Sequence, residues 1–133
     1  MEGDMTGLEG KVAIVTGGGW GLGEASGKAL AQKGVKVVLS DINLKGAERV
    51  AAEIRTAGGA ARAVQQDTGK SEDSQRVVDE AVTAYGGLHF AVNNPGIGGA
   101  QAPVGETDLA DWNRVININL NGVLYGMRYQ IPA

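Results

Sequence analysis

Short apolar runs alternate with longer segments of helical period along almost the whole chain. Lys11-Val12-Ala13-Ile14-Val15 has the unbroken apolar character of a strand buried on both faces, and the segment from Glu24 to Gln32 behind it is helix-like. A second strand is expected at Val35-Lys36-Val37-Val38-Leu39-Ser40, ending on Asp41. From Leu44 to Ala57, the apolar residues Leu44, Ala47, Val50, Ala51 and Ile54 recur at helical spacing, and Gly58-Gly59 supplies a stop. A third strand follows from Ala60 to Gln66, then a helix from Ser71, its expected N-cap, to Tyr85, closed by Gly86-Gly87. Leu88 to Val92 reads as a fourth strand and Asp108 to Tyr129 as a final helix. Strands that alternate with helices in this way predict an α/β fold, a doubly wound parallel sheet with right-handed crossovers.

The connection after the first strand carries the most chemistry. It reads Thr16-Gly17-Gly18-Gly19-Trp20-Gly21-Leu22-Gly23 and opens directly into a helix. A helix N-terminus has unpaired N–H groups and the positive end of the macrodipole, and glycines let the backbone approach an anion without Cβ interference. The loop therefore has the makings of a diphosphate cradle. Its glycines fit T-G-x-x-x-G-x-G, while no register fits G-x-G-x-x-G. With 22 glycines among 133 residues, a glycine-rich turn that binds nothing is the competing reading, and companion residues must decide.

Asp41 is such a companion. It stands eighteen positions after Gly23, at the end of the second strand, where an acid hydrogen-bonds a ribose diol in dinucleotide-binding βαβ units. The same carboxylate repels a 2′-phosphate, so NAD is favoured over NADP. Trp20 and Ile42 bring no cation to that position, whereas Lys45 and Arg49 lie within a helix turn or two of it.

Composition narrows the classes further. At 133 residues the chain is expected to form one domain, residues 1–133, with a core of useful size. A net charge of −3 with scattered Lys and Arg gives no basic stripe, so neither nucleic acid nor an anionic membrane is an expected partner. There is no cysteine, and the single His89 has no companions at ligand spacing, so no disulfide and no metal site is expected. Met1 to Thr6 has no apolar targeting segment, and the expected location is cytoplasmic.

Taken together, these motifs resemble the N-terminal half of a classical short-chain dehydrogenase/reductase, from about Leu8 to the last residue. Thr16 to Gly23 resembles the family's cofactor loop, which implies cofactor contacts at Gly17, Trp20, Gly21, Leu22 and Gly23; Asp41 and Ile42 follow at the second strand. Asp67-Thr68 matches the pair in which the family's carboxylate meets the adenine amino group and the next N–H meets the ring. Asn93-Asn94-Pro95-Gly96 resembles the N-N-A-G turn, implying Asn93 and Gly96 as cofactor residues. The segment Trp112 to Gly122 resembles the helix that gives the family's catalytic tetrad its asparagine, and alignment on Trp112 assigns that role to Asn119. In the family, this side chain and a local kink hold a water of the proton relay. Asn117 and Asn121 are expected on other helix faces, because three residues at every second position do not share one face of a 3.6-residue period.

The resemblance implies a Rossmann-like sheet of order 3-2-1-4, truncated relative to the family after the fourth strand and its helix, with hydride transfer between a nicotinamide dinucleotide and a small alcohol or carbonyl. The family's Tyr-x-x-x-Lys acid/base is absent from these residues: Tyr85, Tyr125 and Tyr129 are followed four positions later by His89, Tyr129 and Ala133. The expectation is thus a cofactor-binding half, inactive alone; the alternatives are a non-catalytic NAD-binding module and an interaction protein. The family's subunit interface is expected on the C-terminal helix. Pro95 replaces the family's alanine, fixing φ and removing an N–H beside the nicotinamide ribose.

Overall fold

The computed structural model describes residues 6–133. After a short 3₁₀ turn at Thr6–Leu8, the order is β1 (Val12–Thr16), α1 (Gly21–Gln32), β2 (Lys36–Asp41), α2 (Leu44–Thr56), β3 (Ala61–Gln65), α3 (Ser71–Tyr85) and β4 (Phe90–Val92). A second 3₁₀ turn, Val104–Glu106, leads into α4 (Leu109–Ile116). A π-helical segment, Asn117–Asn121, joins α4 to α5 (Gly122–Gln130), so that the expected final helix is one rod with a bulge in its middle.

All four strands are parallel, in the order β3-β2-β1-β4. Register places Ile14 beside Val38 and Ala91, and Val38 beside Arg62. The chain thus forms the Rossmann-like α/β sheet anticipated from its alternating pattern.

Alternate residues of each strand feed opposite layers, as the two-residue period of a strand requires. Ala13, Val15, Val37 and Leu39 point to one face and pack with Ala47, Val50, Ala51 and Ile54 of α2. Val12, Ile14, Val38 and Val64 point to the other and pack with Val77, Val78 and Ala81 of α3. Both faces being covered explains why β1 is buried at all five positions. Gly27 lets α1 lie close on the sheet: a Cβ there would come 2.6 Å from Leu39 Cδ2.

Most boundaries fall within a residue or so of the sequence reading, and three differences have a structural reason. Helix α1 begins at Gly21 instead of Glu24, because the Glu24 N–H already donates to the Trp20 carbonyl at 3.2 Å. Ser71 is the first residue of α3 and Lys70 is its N-cap, with no side-chain cap; Asp73 in the first turn accepts the Asp67 N–H at 2.8 Å instead. Strand β4 is limited to three residues, and His89 just before it pairs with Val12 through both ring and backbone: Val12 N–H donates to His89 Nδ1 at 3.0 Å, and His89 N–H donates to the Val12 carbonyl at 2.9 Å. His89 is accordingly a strand-end cap, in keeping with its lack of any assigned role. Gly86 closes α3 with φ +84°, the left-handed conformation expected of a glycine stop.

Candidate active site

At the C-terminal ends of the strands, where open α/β sheets bind ligands, lies a cleft of about 610 Å³. One wall is the glycine turn between β1 and α1. Gly17 has φ +64°, and a Cβ on it would collide with the carbonyl of Asn94, so two independent constraints demand glycine there. A Cβ on Gly23 would run into the carbonyl of Gly17, which keeps the start of α1 pressed against the turn. Gly21, at φ +57°, has nothing within 4 Å of its Cβ position and opens onto the cleft. The N-cap of α1 is Trp20, in extended conformation and without a side-chain cap bond. The first-turn N–H groups of α1 are therefore left to a ligand or to water.

Asp41, only 7% exposed, is aimed into this wall by two backbone donors. Gly19 N–H donates to its Oδ2 at 3.0 Å and Asn43 N–H to its Oδ1 at 2.9 Å. Each oxygen retains further acceptor capacity. Ser40 and Gln66 form the floor, with Ser40 Oγ donating to Gln66 Oε1 at 2.5 Å and Gln66 Nε2 donating to Ser74 Oγ at 3.1 Å. Asp67 turns its Oδ1 to the Gly69 N–H at 2.9 Å and, with Thr68, lines the end of the cleft.

Arg49, expected within range of a phosphate on the ribose, is engaged elsewhere. Its guanidinium donates to Glu24 Oε1 at 2.6 Å, Glu53 Oε1 at 3.1 Å and the Gly19 carbonyl at 3.2 Å. Lys28 bonds the same two carboxylates at 2.6 Å each, completing a four-charge ring between α1 and α2. Hydrogen bonds from Arg49 first, and Lys28 second, lower the Glu24 pKa from 4.5 to about 2. Lys45 is exposed and away from the cleft lining.

The second wall is the loop after β4 together with α4 and the π segment. Asn94 N–H donates to Thr16 Oγ1 at 2.8 Å, tying this loop to the end of β1. Asn119 clamps the loop: its Nδ2 donates to the Ile97 carbonyl and its Oδ1 accepts the Ile97 N–H, both at 2.9 Å. Asn93 and Gln130 exchange two amide hydrogen bonds of 2.8 Å, joining the loop to the end of α5. Asp111 accepts the Ala100 N–H at 2.8 Å, and this bond, followed by that from Arg114, lowers its pKa.

Of the residues singled out by sequence, Gly17, Trp20, Gly21, Leu22, Asp41, Ile42, Asp67, Thr68 and Gly96 line this one cleft. Gly23, Asn93 and Asn119 stand behind it. Both ends of the Asn119 amide bond the Ile97 backbone, so this side chain shapes the loop. Asn117 and Asn121, expected away from the face of Asn119, are joined to each other: Asn121 Nδ2 donates to Asn117 Oδ1 at 3.2 Å, and Asn117 Nδ2 donates to the Gly69 carbonyl at 3.0 Å. Asn94 and Pro95 of the N-N-A-G-like turn and Arg114 and Ile118 of the Trp112–Gly122 segment also line the cleft, as do Ser40, Gln66 and Ile97, which carry no motif signal of their own.

This arrangement suits a nucleoside diphosphate. Uncapped helix N–H groups meet anionic oxygens, glycines leave the space that a Cβ would fill, and a fixed carboxylate is a ready acceptor for two hydroxyls. Among the described residues no group of three acidic or histidine side chains could hold a metal, and no helix is long and apolar enough to cross a membrane.

Comparison with known proteins agrees with this geometry. Residues 11–133 match the family described as short chain dehydrogenase. Cyclohexanol dehydrogenase of Acinetobacter sp. (strain SE19) is 46% identical over 123 residues, covering 92% of this chain and 49% of that protein. A short chain dehydrogenase/reductase from Burkholderia phymatum, solved in complex with NAD, superposes with a TM-score of 0.90 at 34% identity, over 94% of this chain and 44% of that one. A 3-ketoacyl-(acyl-carrier-protein) reductase from Brucella melitensis, complexed with NADH, gives 0.87 at 41% identity over 94% and 50%. The chain spans about half the length of the curated relatives it matches.

Proposed function

From the premise that the chain belongs to the short chain dehydrogenase family, we propose that it is the nicotinamide-dinucleotide-binding portion of an NAD-dependent alcohol or carbonyl oxidoreductase. The observation that carries this reading is the Asp41 carboxylate, held by Gly19 and Asn43 N–H groups beside an uncapped helix N-terminus. In this reading Gly17, Gly21 and Leu22 hold the diphosphate and Asp41 the adenosine ribose diol, with Trp20 and Ile42 flanking it. Asp67 and Thr68 receive the adenine. Gly96 and the loop fixed by Asn93 lie beside the nicotinamide ribose, and Gly23 keeps α1 in place. When bound, the dinucleotide supplies hydride chemistry at its nicotinamide ring.

NAD is preferred to NADP for two reasons. Asp41 repels a 2′-phosphate, and Arg49, which does not line the cleft, is held by Glu24 and Glu53. Asn119 is assigned to the catalytic machinery as a positioning residue, acting through the Ile97 loop. The residues present hold no Tyr-x-x-x-Lys, so the 133-residue chain binds the cofactor without turnover; general acid–base transfer is worth about 10²–10⁴ in rate. Exposed Trp112, Leu120, Leu124 and Met127 along α4 to α5 support self-association through that rod.

Calorimetric titration of the chain with NAD and with NADP tests the reading. NAD is expected to bind, and NADP more weakly. Folded protein that binds neither would overturn it in favour of an interaction role.

A further inference from the structure

The reacting cleft has an electrostatic imbalance that the residues assigned so far do not correct. Its charged lining side chains are Asp41, Asp67 and Arg114, a net of one negative charge facing a ligand whose diphosphate is itself anionic. Helix N–H groups offset part of this, but they act only within about a turn of the α1 terminus. Arg114 is the one lining cation among the described residues, and it comes from α4, on the opposite wall from the glycine turn.

Its placement is a built feature. Asp111, one turn earlier on α4, accepts from Arg114 Nη2 at 2.8 Å and from Nε at 3.3 Å through the same oxygen. The other oxygen of Asp111 accepts the Ala100 N–H. One carboxylate thus orients the guanidinium and fastens the loop that follows β4. A pair as exposed as this contributes little to folding stability, so its effect lies in where it holds the charge. Arginine remains charged at every working pH and keeps donors to spare beyond those given to Asp111.

Resting on the dinucleotide reading above, we propose that Arg114 is a cofactor-affinity residue, the cation that compensates the anionic dinucleotide from the α4 wall, with Asp111 as its positioning residue. The role is one of charge, so it applies to NAD and to ADP-ribose and not to uncharged adenosine. Arg114→Gln removes the charge at similar length, and Arg114→Lys keeps it while losing the planar fork.

The test is calorimetry of the wild-type chain, R114Q, R114K and D111N with NAD and with adenosine at low and high salt, each variant being checked for an unchanged thermal melt. R114Q is expected to weaken NAD binding about three- to tenfold, the range of one charge-assisted contact at a half-exposed site. Adenosine binding should be unchanged, and the NAD deficit should shrink as salt rises. R114K should recover most of the loss, and D111N should fall between. Equal NAD affinity in wild type and R114Q would overturn the proposal, as would a loss shared equally by adenosine, which would mark Arg114 as a packing residue. Wild-type protein that binds no NAD would overturn the dinucleotide reading itself, a separate outcome.

Discussion

Along the wall from Gly17 to Leu22, the groups facing the cleft are backbone N–H groups and a carboxylate held by backbone; along the wall from Asn94 to Ile118, they are a loop held by side chains reaching from another helix. The first wall is backbone fixed in place: Asp41 is held by the Gly19 and Asn43 N–H groups, and a Cβ at Gly17 would meet the Asn94 carbonyl and one at Gly23 the Gly17 carbonyl, which leaves it little freedom. The second wall hangs on side chains reaching from other elements: Asn119 to Ile97, Asp111 to Ala100 and Gln130 to Asn93. The first wall should therefore fail abruptly when altered and the second gradually.

The largest effect is expected at Gly23. In Gly23→Ala the new Cβ meets backbone, which has no rotamer to escape through, so α1 must shift away from the turn. Destabilisation of about 1–3 kcal/mol, with loss of measurable NAD binding, is expected from overpacking of this kind. A melt and a titration at wild-type level in that variant would refute the tight packing of the first wall.

Asn119→Ala probes the second wall. It removes both bonds to the Ile97 backbone, at a cost of about 1 kcal/mol for exposed hydrogen bonds. Hydrogen exchange of the Ile97 amide should quicken, and NAD affinity should drop several-fold without being abolished. Unchanged exchange would show that the loop holds itself.

These two variants also mark what could be read in the sequence. While the strand order came from the family resemblance, the alternation of strands and helices, the glycine turn and Asp41 were legible because each depends on local period or on spacing within about 25 residues. The reciprocal Asn119–Ile97 amide clamp was not, since an asparagine in a helix reads equally as a solvated polar residue. Asn117 and Asn121 stand four residues apart and meet as ordinary helix-face neighbours, whereas the bond from Asn117 to the Gly69 carbonyl joins positions 48 apart and has no sequence signal of its own. Ser71 misled for a related reason: Asp73 supplies the first-turn acceptor, but to the N–H of Asp67, outside the helix.

The smallest effect is electrostatic and behind the first wall. Glu24, normally at 4.5 and lowered to about 2 by Arg49 and Lys28, stabilises the fold fully above its unfolded value. That contribution is lost as pH falls from about 4.5 through about 2. Melting temperature should decline across this window, and Glu24→Gln should flatten part of the decline. An identical acid profile in the variant would show that the ring of charges between α1 and α2 adds nothing.

The most direct test of a dinucleotide site organised around one held carboxylate is a titration of wild type and Asp41→Ala with NAD and NADP. Wild type should prefer NAD, and the variant should lose NAD affinity while the gap between the two cofactors narrows. Equal NAD affinity in both proteins, or an undiminished preference in Asp41→Ala, would contradict the assignment of Asp41 to the ribose diol.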